Sequence, residues 1–163
     1  MKRKNLIERG KITLTFNDKN ERVLCLLTKR DPVFITECDG NKNTISLLKE
    51  TFKYLDFSSR FNYEPEKTTQ ITEVQVYEMI GDARFEEIFN SFDVKLNKLC
   101  LTLQQIRKFC IINDELLRNN DRETFFLLKN KRKFFVAIVT LWRDGSLSLY
   151  VDNLSNDYLW NSC

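Results

Sequence analysis

The chain contains no histidine. That absence removes serine–histidine and cysteine–histidine catalysis, imidazole acid–base work and the zinc sets that use imidazole. The five cysteines (Cys25, Cys38, Cys100, Cys110 and Cys163) include no C-x-x-C pair, so a tetrathiolate zinc site would need scattered ligands to converge. Glycine is scarce. Gly10, Gly40, Gly81 and Gly145 each stand alone near an expected element boundary, and no glycine-rich phosphate loop or dinucleotide fingerprint exists. With two prolines besides, there is little linker and no low-complexity tract. The longest apolar stretch, Phe134 to Trp142, is broken by Thr140 and falls far short of the roughly 20 residues a membrane-spanning helix needs. No cofactor, no metal site and no membrane association are expected.

The cysteine count is odd and the spacing wide, which argues against a disulfide framework and for a reducing compartment. The opening MKRKNL continues as ERGK rather than as an apolar run, so no secretion signal is read there. The expected location is cytoplasmic, of the chain's own cell or of a host.

What is present is core material. Apolar residues make up 42% of 163, with Phe alone occurring 13 times, enough for one globular domain over 1–163. Net charge is +3, too small to imply a nucleic-acid partner by itself. It is unevenly spread: residues 1–70 hold 14 Lys/Arg against 10 Asp/Glu, and the remainder is slightly acidic.

Ile12–Phe16 alternates apolar and polar, Arg22–Thr28 is apolar on both faces, and Val33–Thr36 follows a short turn. These predict a three-stranded antiparallel meander over about 12–36. With Thr44 as N-cap, Ile45, Leu48, Phe52 and Leu55 recur at helical spacing, predicting an amphipathic helix over about 44–56. Residues 57–72 are irregular, and any domain boundary is expected there. Glu73–Ile80 reads as a strand. Phe85, Ile88, Phe89 and Phe92 mark a helix over about 82–92 as a core-facing stripe. Thr102, with Gln105 as its capping-box partner, opens the best-patterned helix, about 102–118.

A second antiparallel meander is predicted over about 124–152, with the central strand covered on both faces. Asp144-Gly145 is read as a two-residue hairpin turn that sets Trp142 opposite Leu147 and Thr140 opposite Leu149. The tail Asn156–Trp160 is expected to dock two aromatics on the sheet. Strand runs followed by helices give an α+β fold: two antiparallel β-meanders with three amphipathic helices.

The span from VQVYEMIGDARFEEIFNSF through LCLTLQQIRKFC to TFFLL…KFFVAIV…DGSLSLYV…YLW, roughly residues 74–160, resembles a group of short uncharacterised bacterial proteins. This chain stops soon after Trp160, where those proteins tend to continue with another basic and apolar segment. The resemblance implies that the second half is one coherent unit. It carries no activity and no site residues.

Three readings of function remain. By subtraction, the leading one is a non-catalytic interaction protein that binds another macromolecule, most simply a protein, through loop aromatics at Phe57, Phe61 and Tyr63. The plainer alternative tucks those rings under the loop as a satellite core. The second reading is weak, sequence-tolerant nucleic-acid binding by Lys2, Arg3 and Lys4, by Lys29 and Arg30, and by Lys129, Lys131, Arg132 and Lys133. A basic run beside aromatics suits that chemistry, but Lys129 to Lys133 is most economically a solubilising hairpin tip. KRKFFVAI also departs from the RNA-recognition strand motif, with Arg132 at its glycine position and Lys133 at its first aromatic. The third reading is metal-dependent phosphodiester hydrolysis by Glu37, Asp39 and Lys42, or by Glu64, Glu66 and Lys67. A polar strand end running into a turn explains the first trio more simply, and the second lies in a loop with no expected scaffold.

Overall fold

The computed structural model of the chain describes residues 7–9, 12–16, 22–27, 33–40, 43–92, 94–117 and 123–161. In chain order its elements are β1 (Ile7–Arg9), β2 (Ile12–Phe16), β3 (Arg22–Leu27), β4 (Val33–Ile35), α1 (Thr44–Thr51), β5 (Tyr54–Phe57), β6 (Thr72–Val74), β7 (Tyr77–Met79), α2 (Phe85–Asn90), α3 (Leu103–Ile112), β8 (Glu123–Asn130), β9 (Lys133–Leu141) and β10 (Leu147–Asn153). Three helices and largely antiparallel sheets make the fold α+β. Where one domain over 1–163 is expected from length, mutual contact groups the chain into two compact units. Segments 1–33, 73–98 and 155–163 form the first, and 34–72 with 99–154 form the second. One crossing, between Thr72 and Glu73, falls at the end of the irregular stretch.

In the first unit the strands run β1-β2-β3-β7, all antiparallel. β3 therefore takes β7 as its second neighbour, and β4 pairs with β6 in a separate ribbon. The predicted 12–36 meander is thus only its first hairpin. Alternation announces a strand without naming its partner, and β7 satisfies the far edge of β3 across a long stretch of sequence. The strand read over Glu73–Ile80 is two short ones, β6 and β7. α2 is shorter than predicted, and the backbone N–H of Arg84 donates to Glu87 Oε2 at its start. The tail docks here, on the segment leading into α2. Ala83 and Trp160 exchange backbone hydrogen bonds of 3.0 Å, and the Trp160 indole stacks on the fully buried Phe85 at 5.1 Å. Tyr158 stays exposed beside it, so one aromatic docks rather than two.

The second unit is a four-stranded sheet of order β5-β10-β9-β8. β9 is central, and Phe135 to Thr140 are buried on both faces, as its long apolar run predicts. α3 rests on one face, where Phe109 meets Phe126 edge to face at 5.3 Å. α1 lies against α3: Gln104 Nε2 donates to the buried Thr44 Oγ1 at 2.8 Å, and Arg107 Nε donates to Leu47 O and Thr51 Oγ1. The predicted capping box is present, with Thr102 Oγ1 accepting from Gln105 N and Gln105 Oε1 accepting from Thr102 N. α3 ends at Ile112, before a single 3₁₀ turn, because Asn113 leaves helical geometry.

Two local readings change. The α1 helix stops at Thr51, and Asn43 rather than Thr44 precedes it as N-cap. Tyr54–Phe57 then becomes a strand parallel to β10. Leu55 fits either period, since it is three residues from Phe52 and also alternates with exposed Tyr54 and Asp56; pairing with β10 decides between them. The β9–β10 hairpin is also one residue out of the predicted register. Leu141 faces Leu147 and Thr140 faces Ser148, with Arg143, Asp144 and Gly145 as a three-residue loop. Gly145 N donates to Trp142 O, and Gly145 takes φ +79, the left-handed residue that ends such a loop. Asp144 Oδ1 accepts from both the N–H and the hydroxyl of Ser146, which fixes the longer turn.

Candidate functional site

The aromatic loop first. Phe57 and Phe61 stack at 5.3 Å, and Phe61 meets the buried Phe135 edge-on at 5.1 Å. Phe57, Phe61 and Tyr63 are half-buried, and the Tyr63 hydroxyl is enclosed without a hydrogen-bond partner. Of the two arrangements the sequence leaves open for these rings, the half-buried, mutually packed one is the satellite core under the loop. A loop of this length cannot shield its backbone without burying some of its own side chains, and the rings nearest the sheet are the ones buried.

Of the basic clusters, Lys2, Arg3 and Lys4, and Lys29 with Arg30, lie outside the described residues, as does Lys42. The remaining block forms the β8–β9 hairpin tip. Asn130 pairs with Lys133, Lys131 turns with φ +54, and Lys131, Arg132 and Lys133 are exposed. Lys131 Nζ lies 2.9 Å from Glu64, and Lys129 sits over the Phe134 ring at 5.9 Å. Part of this charge is therefore already engaged within the chain.

Glu66 has a scaffold that the sequence reading misses. Its carboxylate accepts the N–H of Leu103 and, at 3.1 Å, that of Gln104, closing the start of α3. Burial pushes its pKa up, against the lowering effect of those two bonds. Glu64 is paired with Lys131, and the Glu37 backbone carbonyl accepts from Lys108 Nζ. Among the described residues no three Cys, Asp or Glu side chains gather as a metal site. Glu66→Ala should cost about 2 kcal/mol in urea unfolding, because two half-buried donors lose their acceptor. Glu66→Gln, which keeps an acceptor oxygen, should cost less.

Cys100 and Cys110 are poor nucleophiles. Burial pushes Cys100 up to about 11 and Cys110 up to about 12.

A different site emerges at the opposite end of the sheet from the basic tip. Lys53, Tyr54, Trp142, Arg143, Asp144 and Ser146 line a shallow concavity of about 550 Å³. It lies where the start of β5 meets the β9–β10 loop. Trp142 is 39% exposed and Tyr54 59%, both on the sheet face that also carries Ser146, Ser148 and Tyr150. The small serines leave the depression between the rings. Lys53 Nζ meets Asp144 Oδ2 at 3.2 Å. Asp144 is lowered to about 2, first by the Ser146 hydroxyl, then by Ser146 N–H and by Lys53, so it is ionised at neutral pH. No protein-family model, no curated protein and no solved structure matches this chain. The geometry of the concavity therefore carries the functional argument. It offers two large exposed rings with guanidinium and ammonium groups at the rim, and its one carboxylate, Asp144, is held well below the usual range by Ser146 and Lys53, which makes it a weak base. The only signal for the concavity in the sequence is Trp142 beside the Asp144-Gly145 turn; Tyr54 was hidden by the helical reading of 44–56.

Proposed function

We propose that the chain is a non-catalytic interaction protein that binds a protein partner through the Trp142–Tyr54 concavity. The supporting observation is the exposure of both rings on one sheet face, with Arg143 and Lys53 beside them. Tryptophan, tyrosine and arginine are the residues on which protein–protein binding energy concentrates, because they bury large rigid area at small entropic cost. Cys38, Cys100 and Cys110 form no disulfide among the described residues, which fits a reducing, cytoplasmic setting. No helix among the described residues is long and apolar enough to cross a membrane.

The test is quantitative capture from native lysate, followed by calorimetry with the captured protein. Trp142→Ala should weaken that binding by about tenfold or more, the loss of a central anchor. Circular dichroism should be unchanged, since Trp142 is at the surface. Full affinity in a Trp142→Ala, Tyr54→Ala double variant would remove the concavity from the reading.

A further inference from the structure

We propose that the open edge of β5 takes an extended, basic segment of the partner as a fifth strand of the β5-β10-β9-β8 sheet. The inference rests on the reading above and specifies the partner's chemistry.

β5 ends its sheet, with β10 on one side and no strand beyond it among the described residues. Ser58 N donates to Val151 O at 2.8 Å, so in the Phe57–Val151 register alternation along the strand turns the N–H and C=O of Leu55 and Phe57 away from β10, toward the open edge. An edge of this kind templates another chain: main-chain bonds supply affinity and alternate side chains supply selectivity.

The side chains favour a cation. In the β5–β10 register Tyr54 stands beside Ser148 and Asp56 beside Tyr150, with Asp152 two residues further on. All five share one face. Tyr54 and Asp56 are exposed and Tyr150 is 39% exposed. The Asp56 and Asp152 carboxylates both lie close enough to the Tyr150 phenol to add to burial in raising its pKa. Asp152 Oδ1 already accepts from Asn153 N, which leaves Asp56 as the principal anion at the edge. A strand added at β5 places every second side chain over this face, one of them beside Asp56. Lysine or arginine there meets a carboxylate and an aromatic ring together, whereas glutamate meets like charge. Within the chain Lys53 already makes such a contact, its Nζ 5.5 Å from the Tyr54 ring centre while it pairs with Asp144.

The experiment is an NMR titration of the full chain with two capped peptides of about nine residues, the length of a strand. One alternates lysine with threonine and the other glutamate with threonine. The lysine peptide should shift the backbone amides of Leu55 and Phe57 and slow their hydrogen exchange. The glutamate peptide should bind about tenfold more weakly or worse, and Asp56→Lys should invert the preference. If that variant does not fold, Asp56→Asn should abolish the preference instead. The inference is overturned by silent Leu55 and Phe57 amides at millimolar lysine peptide, by equal binding of the two peptides, or by a preference that survives both substitutions. It is equally overturned if those amides shift with protein concentration alone, which assigns the edge to a second copy of the chain. Partner binding that depends on Trp142 while the Leu55 and Phe57 amides stay silent keeps the concavity and removes the added strand. Peptide shifts at those amides, with partner capture indifferent to Trp142, do the reverse.

Discussion

Phe135→Ala is expected to lower the stability of the second unit by about 4 kcal/mol, the usual cost of emptying a fully enclosed phenylalanine site. Phe135 is 1% exposed on the central strand, which neighbouring strands hold from both sides, so the surroundings have little freedom to collapse into the void. The loss is large against the roughly 5–15 kcal/mol that keeps a domain folded, and denaturant unfolding should show an early transition or none. Phe61→Ala, at a half-buried ring, should cost less. Because the two rings touch edge to face, a double-mutant cycle should return a coupling of about 1 kcal/mol. Zero coupling would mean that the loop does not hold its packed position in solution, and would return Phe57, Phe61 and Tyr63 to the list of presented aromatics.

Gly40→Ala should cost about 3 kcal/mol, from two causes that act together. Gly40 takes φ +67, in the left-handed region where a side chain is strained. A Cβ there would also lie 2.5 Å from Thr68 N and 2.7 Å from Glu66 O, both backbone atoms that cannot swing aside. The clash would push on the segment that carries Glu66 to the start of α3. Equilibrium unfolding should show the loss, and hydrogen exchange should show the Leu103 and Gln104 amides exchanging faster. Gly145→Ala offers the contrast. Its φ is +79, yet a Cβ would meet nothing within 4 Å, so only the backbone strain of about 1–2 kcal/mol applies. Equal losses at the two glycines would contradict the close approach at Gly40.

The two glycines also show how far a sequence reading reaches. Both sit at expected turns, and both turn. Only at Gly40 does a distant segment, Glu66 to Thr68, press against the backbone, and no local pattern announces that. The same division holds at the N-terminus of α3. Thr102 and Gln105 form their capping box because both partners lie within one turn of helix, whereas the Glu66 cap arrives from the loop. That glutamate looked like a carboxylate without a scaffold because its scaffold is remote in sequence.

By itself the sequence determined the α+β class, the existence of most elements, the doubly buried β9 and the chemistry that is missing with histidine. These follow from local terms: the period of apolar residues, capping, turn residues and composition. It also identified the Lys131-Arg132 block as a hairpin tip, because charge between two apolar strands has nowhere else to go. Tertiary structure alone decided that β3 pairs with β7, that Tyr54–Phe57 leaves the helix to join β10, and that the β9–β10 loop holds three residues. It also brought Tyr54 to Trp142. Each of those outcomes compares pairings between segments far apart in the chain, where the gain comes from backbone bonds and buried area that neither segment possesses alone. The loop aromatics that stand out in sequence are spent on packing, and the aromatics that remain exposed lie where two strands distant in sequence become neighbours.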